Sequence, residues 1–269
     1  MLTISVFSGR PVIQEEYIVS NKPFKPLKAI VLAAGKGTRM RTDGCDLPKV
    51  MRQAHNKPLL HYVLSALDFI SPADTVLVVG YRKEDVLAAF PEYSHAEQAE
   101  QLGTGHAVQC AFAALPDFDG DVLVCCGDMP LITRETYQAL VETHRANGNV
   151  CTMLTGTSSI DLPYGRVVRK ADGSFQEIVE QKDCTPEQLN IRELNAGVYV
   201  FDAKTLLESL SHLKNNNASG EYYLTDAPTL MLAQGLKVDV CKRDLGSEII
   251  GVNTPEQLAE VERVLDARK

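Results

Sequence analysis

No apolar run in this 269-residue chain approaches the roughly 20 residues that a membrane-spanning helix needs. The N-terminus lacks a basic-then-apolar leader pattern, so export is not expected. The seven cysteines are odd in number, and no pair has the two-residue gap of a zinc or redox site. They are expected as reduced thiols packed as small hydrophobes, in a cytoplasmic protein. Positive charge is in deficit: 27 Lys and Arg against 35 Asp and Glu leave a net charge of −8. That balance argues against nucleic acid as a bulk partner. Internal repeats and low-complexity tracts are lacking as well. What remains is the composition of a folded domain, 45% hydrophobic and 23% charged. Its length suits one large α/β domain or two small ones.

Against this acidic background stands one basic cluster: Lys36, Arg39, Arg41, Lys49 and Arg52. It lies in the stretch Lys28 to Lys49, K-A-I-V-L-A-A-G-K-G-T-R-M-R-T-D-G-C-D-L-P-K. The apolar run Ala29 to Ala34 reads as a buried strand. Gly35 and Gly37 then let backbone N–H groups approach an anion with no Cβ in the way. Arg39 adds a planar fork and Lys49 a point charge. The dinucleotide fingerprint is excluded, because Met40 stands where its third Gly belongs. The P-loop is excluded because no Gly-Lys-Ser/Thr follows at the required gap. A small polyanion such as a nucleoside triphosphate is the expected occupant.

Further along, helical and strand periods alternate. Leu59 to Ile70 is expected as a helix, Thr75 to Val79 as a strand and Glu84 to Phe90 as a helix. This alternation implies a doubly wound, mainly parallel sheet of Rossmann-like kind. The polar run Ala96 to His106 precedes an apolar helix from Ala107 to Leu115. It reads either as a ligand loop or as a turn with Thr104 as helix cap. Asp128 follows the apolar strand Asp121 to Cys126, at the end where open α/β sheets bind ligands. As a hard oxygen donor it suits Mg²⁺, although an Asp at such a turn can also be a simple cap. Thr133 to Asn147 is expected as a capped helix ended by Gly148. Beyond Leu154 the segments Tyr164 to Arg169, Phe175 to Glu180 and Glu193 to Phe201 read as a smaller, mostly antiparallel β lobe. A helix is expected up to Ala233, a strand over Val238 to Cys241, and a terminal helix from Thr254-Pro255. At the other end, residues 1–27 form an arm with a turn signal at Ser8-Gly9-Arg10-Pro11. An edge hairpin, an oligomer contact and a flexible tail all stay open for it.

Several of these runs together resemble the sugar-1-phosphate nucleotidyltransferases. The match is nearest to the UDP-N-acetylglucosamine pyrophosphorylase domain of the GlmU type. It rests on L-A-A-G-K-G-T-R-M with L-P-K, Q-A-E-Q-L-G-T-G-H-A, G-D-M-P-L, Y-G-R, and N-N-N-A-S-G-E-Y-Y-L-T-D. It covers residues 28 to about 265, so a nucleotidyltransferase domain over 28–269 is expected. Two departures stand out. Six residues, Arg41 to Asp46, separate Met40 from Leu47, where the family spacing is shorter, so Lys49 is open to displacement. In addition, Ala196 replaces the Thr of an N-T-G motif.

The resemblance implies UTP and N-acetylglucosamine 1-phosphate as substrates, with Mg²⁺ as cofactor. Arg39 and Lys49 would be catalytic. Leu32, Ala33, Ala34, Gly35, Gln98, Gly103 and Thr104 would bind the nucleotide. Gly165, Glu180, Asn195 and Tyr223 would bind the sugar, and Asp128 and Asn253 the metal. No hexapeptide-repeat acetyltransferase segment is expected within the chain. A different sugar 1-phosphate or nucleotide is the alternative within the class. A non-catalytic sensor or scaffold for UDP-sugars is the alternative outside it. The oligomeric state is not legible.

Overall fold

The computed structural model describes residues 5–7, 10–12, 25–37, 46–157 and 162–268. In chain order the strands are β1 (Ser5–Phe7), β2 (Arg10–Val12), β3 (Leu27–Leu32), β4 (Gln53–Ala54), β5 (Lys57–Pro58), β6 (Thr75–Val79) and β7 (Ser94–Glu97). They continue as β8 (Asp121–Cys126), β9 (Cys151–Thr157), β10 (Arg166–Arg169), β11 (Phe175–Val179), β12 (Glu193–Asp202) and β13 (Val238–Arg243). The helices are α1 (Leu59–Ala66), α2 (Lys83–Ala89), α3 (Thr104–Ala111), α4 (Arg134–Asn147), α5 (Ala203–Leu210), α6 (Ala227–Ala233) and α7 (Pro255–Ala267).

β3 shows why the sequence is doubly wound. Its side chains alternate between the two faces of the sheet. Ala29, Val31 and Ala33 join one apolar layer with Leu60 and Val63 of α1, Val86 of α2 and Leu140 of α4. Ile30 and Ala34 join the opposite layer with Val108 of α3, Leu206 of α5 and Met231 of α6. A strand buried on both faces carries no polar alternation, so it reads as a continuous apolar run. Each fully buried Ile or Leu contributes about 1.5–3 kcal/mol.

The main sheet runs β11-β10-β12-β8-β3-β6-β7, and β9 pairs with β12 and β13. β3 is parallel to β6 and β8, and β6 is parallel to β7. β12 is antiparallel to β8, β9 and β10, and β10 is antiparallel to β11. The expected parallel core and antiparallel part are both present. The antiparallel strands extend the same sheet, with β12 as the joint. β1 and β2 pair as a hairpin. The expected turn was Ser8 to Pro11, but Arg10 and Pro11 already belong to β2.

Helix ends follow local chemistry. The Thr133 side chain accepts from the Thr136 N–H to start α4, and Gly148 ends it at φ 61°. Thr254 and Gln257 form a reciprocal capping box at the start of α7. Besides the two-residue strands β4 and β5, two elements were not read from the sequence. β7 is short and polar, and α5 is started by Asp202, whose side chain accepts from the Thr205 N–H.

Candidate functional site

The crevice outside the C-terminal ends of β3 and β8 is where strand order reverses, since β6 flanks β3 on one side and β8 on the other. The Gly127 N–H donates to the Leu32 carbonyl (2.9 Å), which ties the Asp128 turn to the end of β3. Gly35 follows the same strand. A Cβ built there would meet nothing within 4 Å, so the space above this backbone is open.

Lys49, Asp128 and Asn253 meet in this crevice. The Lys49 ammonium forms an ion pair with Asp128 and donates to Asn253 Oδ1 at 2.7 Å. The longer loop therefore does not carry Lys49 away. Gly37, at φ 62°, lies so close that a Cβ on it would fall 2.7 Å from Lys49 Cβ. Asn253 is held from its own backbone: its N–H donates to Gln257 Oε1 (2.7 Å), and the neighbouring Val252 N–H donates to the Asp128 carbonyl (2.9 Å). Asp128 and Asn253 thus turn one oxygen each toward a single cation, here the ammonium. Two hard oxygens at one point fit Mg²⁺, which keeps several waters and shares substrate phosphates. Among the described residues, no group of three or more His, Cys, Asp and Glu is arranged to hold a metal unaided.

Two cavities flank this cluster, and Cys126 and Asp128 line both. One, of about 240 Å³, is walled by Leu32, Ala34, Gly35, Lys49, Gln98, Gly103 and Thr104. The other, of about 190 Å³, is walled by Gly165, Glu180, Asn195, Ala196 and Asn253. A third and wider space is lined by Glu180, Thr104 and Tyr223. Ala33 is not on a wall: it is fully buried, and its N–H donates to the Val78 carbonyl. Arg39 lies outside the described residues.

The first cavity has a braced rim. Buried Gln98 donates from Nε2 to the Gly103 carbonyl (2.9 Å) and lies 3.2 Å from His106 Nδ1. Thr104 does not cap α3; its hydroxyl accepts from the Leu224 N–H at 3.0 Å. The Gly105 N–H donates to the Tyr222 carbonyl, and the Tyr222 N–H donates to the Leu102 carbonyl (both 2.8 Å). The run 215–226 therefore straps the loop ahead of α3. Gly103 stands at φ 111°, and a Cβ there would fall 2.6 Å from the Tyr222 carbonyl oxygen. Gly103→Ala is expected to cost about 1–3 kcal/mol, the scale of a strained backbone, read as a lower midpoint in urea unfolding. An unchanged midpoint would mean that the strap does not constrain this loop.

The second cavity rests on a bulge. The β12–β9 register shifts between Asn195 and Tyr199, with Gly197 at φ 67°. Asn195 donates from Nδ2 to the Tyr199 hydroxyl (2.6 Å) and accepts the Gly197 N–H at Oδ1 (3.1 Å), which fixes its amide in one orientation. Glu180 accepts the Thr225 hydroxyl at 3.0 Å. Burial holds its carboxyl above the usual range; Thr225 opposes this, while Asp226, Asp183 and Glu221 add to it. The folded chain therefore holds this proton more tightly than the unfolded chain does. The stability it supplies is complete below about pH 4.5 and is lost as pH rises through the folded value. Glu180→Gln is expected to raise the melting temperature at pH 7, with the gain shrinking toward pH 4. A lower melting temperature at pH 7 would show that the Thr225 bond outweighs the burial cost.

Several wall residues escaped the sequence reading, among them Gln101, Glu221, Tyr164 and Cys126. Gln101, whose Nε2 donates to the Ala34 carbonyl (2.6 Å), lay inside the quoted Q-A-E-Q run. Glu221 lines the first and third cavities and lay within the N-N-N run. Tyr164 stood in Y-G-R, read there only for its Gly. Cys126 gave no signal, being one more apolar strand residue. Burial pushes its thiol upward, and that of neighbouring Cys125 up to about 12, so neither is a ready nucleophile. The described cysteines are all free. No described helix is long and apolar enough to cross a membrane.

The fold is shared with solved nucleotide-sugar pyrophosphorylases. A UDP-glucose pyrophosphorylase solved with UDP-glucose matches with a TM-score of 0.66, over 92% of this chain and 100% of that one, at 18% identity. A putative glucose-1-phosphate thymidylyltransferase from Bacillus anthracis, solved with a sucrose, matches with a TM-score of 0.70 over 89% and 95%, also at 18% identity. Likenesses this distant speak for the fold alone. By sequence, the chain belongs to the MobA-like NTP transferase domain family, which it matches over residues 29–221. The Bifunctional protein GlmU of Streptococcus suis is 44% identical over 241 residues, 89% of this chain and 52% of that protein. That of Clostridium acetobutylicum is 41% identical over 242 residues, again 89% and 52%. The chain spans about half the length of these curated relatives.

Proposed function

We propose that this chain joins UTP and N-acetylglucosamine 1-phosphate to give UDP-N-acetylglucosamine and pyrophosphate. The observation that carries the reading is the meeting of Lys49, Asp128 and Asn253 between two cavities of different lining. The nucleotide takes the cavity of Leu32, Ala34, Gly35, Gln98, Gly103 and Thr104, with Ala33 acting through the strand end it anchors. The sugar takes the cavity of Gly165, Glu180 and Asn195, with Tyr223 at its open side. A sugar phosphate oxygen attacks the α-phosphorus, and the bond from that phosphorus to the oxygen bridging to the β-phosphate breaks. Pyrophosphate leaves with that electron pair. The protein's task is positioning and charge neutralisation. Lys49 leaves its resting pair with Asp128 to meet the α-phosphate as charge builds there. Arg39 holds the pyrophosphate. Asp128 and Asn253 would hold Mg²⁺, which when bound supplies positive charge shared between the two anionic substrates.

Residues 28–269 form the catalytic domain, with 1–27 as an extension, and the enzyme works in the cytoplasm on small molecules. Buried Ala196, on the wall of the sugar cavity, favours a second reading in which another sugar 1-phosphate is preferred. Pyrophosphate release over a panel of nucleoside triphosphates and sugar 1-phosphates tests both. The highest kcat/KM with UTP and N-acetylglucosamine 1-phosphate is expected. Binding of UDP-sugars with no pyrophosphate formed from any pair would make the chain a sensor instead.

A further inference from the structure

We infer that Tyr164 is a positioning residue that locks the sugar loop to the segment carrying Asn253. Its hydroxyl accepts the Gly251 N–H at 2.7 Å, across 87 positions of sequence. On the sugar side, the loop that bears Tyr164 is fixed from beneath. Buried Arg166 donates from Nη1 to the carbonyls of Leu162 (3.0 Å) and Tyr164 (2.5 Å). The Asn195 N–H donates to the Gly165 carbonyl at 2.9 Å. On the other side, Asn253 Nδ2 lies 3.4 Å from the Gly251 carbonyl, and Asn253 Oδ1 accepts from Lys49. A hydrogen-bonded path therefore runs from the wall of the sugar cavity through Tyr164 and Gly251 to Asn253 and Lys49.

The geometry leaves no room for a substitute. A Cβ on Gly251 would stand 2.9 Å from the Tyr164 hydroxyl oxygen, so the bare glycine backbone is what admits the contact. The Gln257 and Asp128 carbonyl bonds hold the far side of the 251–253 segment. Tyr164 reaches it from the sugar loop. Where a group orients a metal ligand, its loss typically costs about 10–100-fold in metal affinity. The contact from its hydroxyl to Gly251, whose carbonyl meets Asn253 Nδ2, is the route by which Tyr164 acts on the cation.

This inference rests on the proposed metal role of Asn253, and its test has a readout besides turnover. Mn²⁺ binding in the presence of UTP is measured by electron paramagnetic resonance for the parent chain, Tyr164→Phe and Gly251→Ala. Both variants are expected to weaken Mn²⁺ by about tenfold or more. UTP binding without metal, measured by calorimetry, should stay within twofold of the parent. Mn²⁺ affinity within twofold of the parent in Gly251→Ala and in any folded Tyr164→Phe overturns the inference. So does a lowered melting temperature with Mn²⁺ affinity unchanged, since that is a folding role only. If Tyr164→Phe does not fold, Gly251→Ala decides. A parent chain that binds Mn²⁺ but forms no pyrophosphate defeats the functional reading and leaves this comparison decisive. A parent that binds no Mn²⁺ overturns both.

Discussion

Lys49→Ala is expected to lower turnover by about 10²-fold or more, the scale of losing one electrostatic contact to a charged transition state. The resting structure adds a second, opposite expectation. The ammonium occupies the point toward which Asp128 and Asn253 both turn an oxygen. Lysine and divalent metal would therefore compete for the same two oxygens. Removing the lysine leaves Asp128 without its cation in a part-buried site, where an unpaired charge is costly. The half-saturating Mg²⁺ concentration should then stay level or fall while kcat drops. Steady-state kinetics over a Mg²⁺ titration separates the two effects. Near-normal turnover would show that the ammonium does not meet the phosphate. A large rise in the Mg²⁺ requirement would show that it supports the metal rather than rivals it.

Asp128→Ala should be more severe, beyond the roughly 10²–10³-fold cost of a single contact. Asp128 contributes twice: its carboxylate is the one acidic donor of the proposed Mg²⁺ pair, and it orients Lys49 at rest. Its backbone carbonyl also accepts the Val252 N–H, and that bond survives the substitution. The fold and the placement of Asn253 should therefore persist while activity disappears at any Mg²⁺ concentration. Pyrophosphate release and circular dichroism on the same preparation check this. Activity that survives with an unchanged Mg²⁺ requirement would remove Asp128 from the metal site.

Local chemistry made much of this architecture legible. The apolar runs at β3 and β8, the Thr133 and Thr254 caps and the Gly148 stop depend on neighbours within a few residues. β7 was missed because an edge strand facing solvent carries no apolar period, and Ser94–Glu97 reads as loop. The cap role open to Thr104 was overridden by Leu224, which lies 120 positions away. The path through Tyr164 hid for the same reason. A hydroxyl that meets an N–H across 87 positions leaves no mark on either local pattern. The distance from Lys49 to Asp128 was likewise beyond reach, because the added loop residues give a contour length and no direction. Register explains the joint at β12, since strand propensities do not say which edge a strand will choose.

β12 is bonded along both edges, Tyr199–Asp202 to β8 and Glu193–Phe201 to β9. The two halves of the binding crevice are thus not modules that recombination could exchange. Any crossover placed within that strand would have to re-create two ladders at once. Altered sugar preference is more accessible through the turns that rim the crevice, where a chimera need preserve only the residues at its splice points.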